Sequence, residues 1–221
     1  MIAIIDYKAG NLTSVKYAFD ALGAESVVTS NPAVIGTADR IVFPGVGAAK
    51  SAMANLASLG LVDVVRKVAQ EKPFFGICLG MQILFDRTEE DGGVDCLGLI
   101  PGNVRRFPNV PGCKIPHMGW NNVECRMKNE ECGTSSNIPH SSILIPHSSF
   151  LIPNFSSLIT NYFYFVHSYF APVCEFTTGV TEFAGVEFTS VVQSGNITAT
   201  QFHPEKSGAA GLALLKGWLS C

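Results

Sequence analysis

Residues 73–85, Pro73-Phe-Phe-Gly-Ile-Cys78-Leu-Gly-Met-Gln-Ile-Leu-Phe85, decide how this chain folds. The apolar run 74–77 predicts a buried strand, and residues 81–85 predict the start of a helix. Between them lies Gly76-Ile77-Cys78-Leu79-Gly80, with a glycine two residues on either side of one reactive side chain. That spacing predicts a sharp strand-to-helix turn of the kind that presents a nucleophile. The turn would lift the Cys78 sulfur out of the sheet and set it at a helix N-terminus. Partial positive charge there favours an anion, and the thiolate is the nucleophilic form of cysteine.

Working outward, residues 2–5 and 41–43 are continuous apolar runs, as expected of strands covered on both faces. Val15, Ala18, Phe19 and Leu22 recur at helical spacing and Gly23 supplies a stop; Leu61, Val64, Val65 and Val68 repeat the pattern before Pro73. Residues 26–29 read as a short strand broken by Asn31-Pro32. The alternation predicts a three-layer α/β fold around a mostly parallel sheet, with sites at the carboxyl ends of its strands. The loops 44–47 and 78–80 leave strands at that edge.

The second half predicts strands at 162–170, 185–194 and 197–202, with Ser194-Gly195-Asn196 a hairpin turn. Ser207 is the expected cap of a final helix carrying Leu212, Leu215 and Leu219. Antiparallel strands are therefore expected beside the parallel core. The whole chain, 1–221, reads as one domain, with 126–160 an inserted low-complexity loop. Within the insert, 138–158 hold three copies of a seven-residue unit whose second position is always proline, which forbids a continuous helix.

Composition narrows the class. The 221 residues are 47% hydrophobic and 15% charged with net charge −3, so a compact globular protein is expected and a nucleic-acid partner is not. The seven cysteines form no C-x-x-C pair and include one in the turn, which fits a reducing, cytoplasmic setting better than a disulfide framework. The N-terminus lacks the basic segment of a signal peptide, and no apolar stretch reaches membrane-span length. His140 and His147 have no third ligand at useful spacing, so no metal is expected, and nothing implies a cofactor.

A thiolate nucleophile needs a base, and the base an orienting group. His117 follows a proline, and His167 has no carboxylate nearby in sequence. His203, in Gln201-Phe-His-Pro-Glu205, is the candidate base. In an extended chain residues i and i+2 share a side, so Glu205 would hold one ring nitrogen, with Pro204 stiffening the backbone between them. Acyl transfer also needs oxyanion donors. The N–H of Leu79 is one candidate; the other is the N–H of Val46, in Pro44-Gly45-Val46-Gly47, turned by a Gly45 free to take positive φ.

These motifs resemble the class I, triad-type glutamine amidotransferases, and within them the glutaminase subunits of imidazole glycerol phosphate synthases. The matching stretches are Asp6-Tyr7 with Gly10-Asn-Leu12, Pro44-Gly-Val-Gly47, 76–82, Pro116-His-Met-Gly-Trp-Asn121, Val166-His-Ser-Tyr169 and Gln201-Phe-His-Pro-Glu-Lys-Ser207, in family order over nearly the whole chain. The resemblance implies a flavodoxin-like fold and a Cys78–His203–Glu205 triad acting on L-glutamine. It implies oxyanion donors at Val46 and Leu79, and glutamine contacts at Gly45, Gly47, Gln82, Glu90, Ser168 and Tyr169. It further implies a heterodimer with a (β/α)₈-barrel cyclase subunit. Asn11, Met118, Trp120 and Lys206 match the docking face and ammonia path. Ammonia would pass directly to a ribonucleotide intermediate, yielding imidazole glycerol phosphate and an aminoimidazole carboxamide ribonucleotide in histidine biosynthesis. The 138–158 repeat departs from the family, whose members have a much shorter connection there. Another class I glutaminase, a cysteine hydrolase with the same turn, and a non-catalytic subunit on the same fold remain as alternatives. Of these, the complete triad argues most strongly against the non-catalytic one.

Overall fold

A computed structural model describes residues 1–8, 11–126 and 160–221. The first half runs β1 (Ile2–Ile5), α1 (Leu12–Ala21), β2 (Ser26–Thr29), α2 (Pro32–Thr37), β3 (Arg40–Gly45), α3 (Ala49–Ser58), α4 (Val62–Glu71), β4 (Phe74–Cys78) and α5 (Leu79–Gln82). The second half runs β5 (Phe85–Thr88), β6 (Val94–Asp95), β7 (Ile100–Arg106), β8 (His117–Cys125), β9 (Asn161–His167), β10 (Tyr169–Phe170), β11 (Thr177–Phe183), β12 (Val186–Ser194), β13 (Ile197–Thr200) and α6 (Gly208–Leu219). Among the described residues a large sheet has the order β2-β1-β3-β4-β13-β12-β11-β8-β9, and a small one β10-β7-β5-β6. Neighbours from β2 to β13 pair in parallel; from β13 to β9 they pair antiparallel. The antiparallel wing is thus nearly as wide as the parallel core.

Two apolar clusters lie on opposite faces of the sheet. Ala3, Ile5, Ile41, Phe43 and Phe74 pack with α3 and α4 residues such as Leu56, Val65 and Val68. Ile2, Ile4, Val42, Phe75 and Ile77 pack with Val15 and Phe19 of α1 and Leu214, Leu215 and Trp218 of α6. Successive strand residues point to opposite faces, so strands covered on both must be apolar throughout, as these are. Each fully buried side chain of Leu, Ile or Phe size contributes about 1.5–3 kcal/mol of transfer free energy.

Several local expectations are corrected. Asn31-Pro32 ends β2 by opening α2, with the Asn31 side chain accepting from the Ala33 N–H (2.9 Å) and Pro32 in the first turn, where its missing N–H costs nothing. The helix expected at 81–85 is the single turn α5. The Ile83, Leu84 and Phe85 carbonyls instead accept from the N–H groups of Leu97, Gly98, Leu99 and Ile100, so that segment belongs to the small sheet. The strand expected at 162–170 breaks at Ser168: β9 pairs with β8, whereas β10 crosses to β7. Ser207 sits at the N-cap of α6 but makes no cap. Its hydroxyl donates to the His203 carbonyl (2.6 Å) and accepts from the Tyr164 N–H (3.0 Å), tying the loop that carries His203 to β9. The 138–158 repeat lies outside the described residues.

Candidate active site

The site begins at the ends of three adjacent parallel strands. Gly45 of β3 is opposite Cys78 of β4, and Thr200 of β13 is opposite Ile77. Gly45, Cys78 and Gln201 therefore leave the sheet on one rung. Cys78 has φ 53°, ψ −109°, a conformation L-residues rarely take and one that costs about 1–3 kcal/mol. The strain thus falls on the cysteine itself, while the flanking glycines are demanded by space. A Cβ on Gly80 would lie 2.0 Å from the Phe43 carbonyl oxygen, and one on Gly76 would lie 3.0 Å from the Gly80 oxygen. Gly45 is likewise needed for room, not for rotation. Positive φ occurs at Gly47 (97°) instead, and a Cβ on Gly45 would come within 2.6 Å of the Tyr7 hydroxyl.

Cys78 stands at the N-cap of α5, is 6% exposed and lines a cavity of about 300 Å³. The cavity brings together Val46, Gly47, Leu79, Gln82 and Glu90 with Ser168, Tyr169 and His203. Pro116, Val166 and His167 complete the wall. Gly45 lies beneath it and Glu205 behind His203.

His203 and Glu205 meet as expected, by a different route. Glu205 lies in a 3-10 turn, Pro204–Lys206, and its Oε1 accepts from His203 Nδ1 at 2.8 Å. Both side chains are buried, with exposures of 1% and 0%. The same oxygen accepts from Asn11 Nδ2 at 2.6 Å, so Asn11, expected only at a docking face, also holds the carboxylate. Nδ1 must carry a proton to donate, which leaves Nε2 as the working nitrogen. Nε2 is buried without an aligned hydrogen-bond partner. Burial alone would lower the His203 pKa, but a Cys78 thiolate and the Glu205 carboxylate together push it up to about 10.

Gln82 Nε2 donates to the Tyr169 carbonyl (2.8 Å) and to Gln201 Oε1 (3.0 Å). Glu90 is half-buried, its carboxyl pKa raised by burial. Its Oε2 accepts from the Ala49 N–H (2.6 Å) at the start of α3. Glu90 is thus not a purely solvated charge of the acidic run Glu89-Glu90-Asp91. Met118 (63% exposed) and Trp120 (57%) lie on β8 beside Tyr162 (60%) of β9, and Lys206 is exposed as well. Met118 and Trp120, apolar as they are, are therefore not core residues.

Sequence reasoning passed over Gln201, Tyr7 and the His117–His167 pair. Only the position of Gln201 inside the Gln-Phe-His-Pro-Glu motif could have drawn attention to it. Tyr7 stands beneath the rung with its hydroxyl buried and unpartnered, its pKa raised by burial and by the Cys78 charge. His167 Nδ1 donates to the Tyr169 carbonyl (2.7 Å), so its Nε2 accepts from His117 Nδ1 (3.0 Å), and His117 Nε2 accepts from Asn121 Nδ2 (3.2 Å). This chain requires both rings neutral. Burial pushes His117 down to about 4 and His167 down to about 3, the latter helped by the charges of His117 and His203 and opposed by the Tyr169 carbonyl. Both values lie below the ordinary 6.5, so the folded state binds fewer protons than the unfolded one in acid. This stabilisation is complete above pH 6.5 and is lost as pH falls toward 4. The melting temperature is expected to fall steadily over that interval in calorimetry. A flat profile would show that the pair does not stay neutral.

Among the described residues no three His, Cys, Asp or Glu side chains group as metal ligands, and no helix is long and apolar enough to cross a membrane.

Comparison with known proteins sets this geometry in a family. Residues 3–218 match the family described as glutamine amidotransferase class-I. A subunit from Moorella thermoacetica described as imidazole glycerol phosphate synthase subunit HisH is 44% identical, the match covering 98% of this chain and 93% of that one. The HisH subunit of Methanothermobacter thermautotrophicus is also 44% identical, with 99% and 98% covered. Among solved structures, a glutamine amidotransferase has TM-score 0.68 at 17% identity, covering 98% of this chain and 97% of that one. PurLQS from Thermotoga maritima has TM-score 0.64 at 16% identity, with 99% and 97% covered, and at these identities both show the fold alone. The chain belongs to the class I glutamine amidotransferases and, within them, to the HisH subunits of imidazole glycerol phosphate synthase.

Proposed function

We propose that the chain hydrolyses L-glutamine to glutamate and ammonia and hands the ammonia to a cyclase subunit that makes imidazole glycerol phosphate for histidine biosynthesis. The observation that carries this reading is the convergence of thiol, imidazole and carboxylate at one strand-end cleft, in a chain 44% identical to HisH subunits over nearly its whole length.

In this reading the Cys78 sulfur attacks the side-chain amide carbon of glutamine, and the carbonyl π electrons move to oxygen. The N–H groups of Val46 and Leu79 receive that oxyanion. His203 gives its Nε2 proton to the departing nitrogen, the C–N bond breaks, and ammonia leaves a thioester on Cys78. A water, deprotonated by His203, then attacks the thioester; glutamate departs and the sulfur regains its charge. Glu205, steadied by Asn11, keeps the ring in register throughout. Glu90 supplies the carboxylate that the substrate's α-ammonium calls for, and Gln82, Ser168, Tyr169 and the Gly45–Gly47 loop enclose the rest.

The partner is a (β/α)₈ barrel that docks against the exposed Met118, Trp120 and Lys206. Direct transfer keeps ammonia from being protonated in water, which would remove its nucleophilic lone pair. The reading treats 1–221 as one domain, with 126–160 as an insert.

Glutamine turnover by this chain alone and with the cyclase subunit plus its nucleotide is the deciding measurement. Strong stimulation by the loaded partner is expected. Equal turnover with and without it would reject the coupling, and no turnover in either state would reject the glutaminase reading.

A further inference from the structure

Gln201 is fully buried, immediately after β13 and one rung across from Cys78. Its side-chain amide bridges two groups of the site: one end lies 3.0 Å from Gln82 Nε2, the other 3.6 Å from Cys78 Sγ. Which end faces which group follows from the neighbours. The Tyr169 carbonyl can only accept, and it lies 2.8 Å from the end of the Gln82 amide, so that end is the NH₂ group. The same NH₂ faces Gln201, whose facing atom must then be its oxygen. The atom against the sulfur is therefore Nε2, a donor.

We propose that Gln201 is a built-in donor to the nucleophilic sulfur, holding Cys78 in its anionic form through a relay, Tyr169 carbonyl to Gln82 to Gln201 to sulfur, whose polarity the carbonyl imposes. The sulfur's two polar contacts answer to its two states. A thiol can donate to the Val166 carbonyl, 3.8 Å away; a thiolate cannot, and is repelled by it. The Gln201 N–H favours the thiolate instead, since hydrogen bonds to the charged form stabilise that form. The relay divides the work at the site: His203 faces the sulfur from the cleft and is the proton carrier, whereas Gln201, which has no proton to give up, donates from within the core and sets the charge state. Gln82 gains a second consequence, since its orientation as a cavity residue and the polarity of the donor to sulfur are fixed by the same carbonyl.

The proposal rests on the reading of Cys78 as nucleophile, and the test separates the two. The rate of iodoacetamide alkylation at Cys78 is followed by peptide mass spectrometry from pH 5 to 10, with the other cysteines as internal references. In the wild-type chain Cys78 is expected to react at neutral pH much faster than Cys221. If it does not, the nucleophile reading itself fails. In Gln201→Met, which keeps length and loses the donor, the midpoint of the rate profile is expected to move up by about one pH unit, so that the rate on the acid limb falls about tenfold, the effect of one charge-assisted hydrogen bond. The limiting rate at high pH should be equal or slightly higher, because a more basic thiolate is the better nucleophile. A merely structural role would lower the rate equally at every pH. A fast wild-type Cys78 with an unshifted profile in the folded variant overturns the proposal. Should Gln201→Met not fold, the side-chain amide signal of Gln201 in ¹⁵N-labelled wild-type protein is read instead. It should move in the same pH interval as the alkylation rate and stay still in Cys78→Ser; an amide signal blind to pH in the wild type refutes the relay.

Discussion

Replacing Cys78 by alanine is expected to lower glutamine hydrolysis by about 10⁴-fold or more, the loss seen when the nucleophile of such a constellation is removed. Synthesis by the complex from free ammonia should survive. The sulfur's polar contacts are few and long, to the Val166 carbonyl and the Gln201 amide, so its removal deletes chemistry without deleting a support. Alanine must still adopt φ 53°, but the wild-type cysteine already bears that strain. Met118, Trp120 and Lys206 stand exposed and are untouched by the change. Steady-state assays with glutamine and with ammonium salts, alongside a melting curve, make the comparison. Loss of both activities with a lowered melting temperature would mean that Cys78 holds the fold and is not the nucleophile.

The second large effect is expected at a residue that touches no substrate. Gly211 lies in α6, and a Cβ there would sit 1.9 Å from the Pro204 carbonyl oxygen, 2.7 Å from its carbon and 3.0 Å from its Cα. All three are backbone atoms, so no side-chain rotation relieves the contact. Elsewhere in a helix, glycine to alanine stabilises by about 1 kcal/mol. Here the sign should reverse: Gly211→Ala is expected to destabilise by about 3 kcal/mol, the upper range of overpacking. For a chain of this size that is a fall of about 10 °C in melting temperature. Pro204 stands between His203 and Glu205, so any shift that relieves the clash moves the carboxylate against the imidazole. Glutaminase kcat should fall more than the melting curve alone explains at the assay temperature. A melting temperature equal to or above wild type would show that the 3-10 turn and α6 do not pack as described.

Much of this was legible before any coordinates. The parallel core announces itself because strands buried on both faces have no polar positions to blur them, as in 2–5, 41–43 and 74–77. The site motifs were legible because each is short and local, and the turn around Cys78 and the His-Pro-Glu stretch meet at one cavity. The elements that escaped notice have weak patterns. Helix α3 buries Ala49, Ala52 and Leu56, and alanine gives little contrast between its inner and outer faces. The small sheet is half exposed, and β5 is four residues long with buried ends and two exposed residues between them, so no alternation marks it. Helix α2 is six residues long, too short for a period to emerge.

The sequence by itself determined the fold class, the family and the pairing of His203 with Glu205, because these depend on residue type and local spacing. The tertiary structure alone decided which contacts those groups make. Gln201 reaches the sulfur only through the rung it shares with Cys78, and Asn11 reaches Glu205 across nearly the whole length of the chain. Glu90 is drawn from an acidic run to the start of α3, and Met118 and Trp120 are left outside the core. Hydrogen-bond polarity, burial and close backbone approach are properties of neighbours in space, and strand order and register, not spacing along the chain, choose those neighbours.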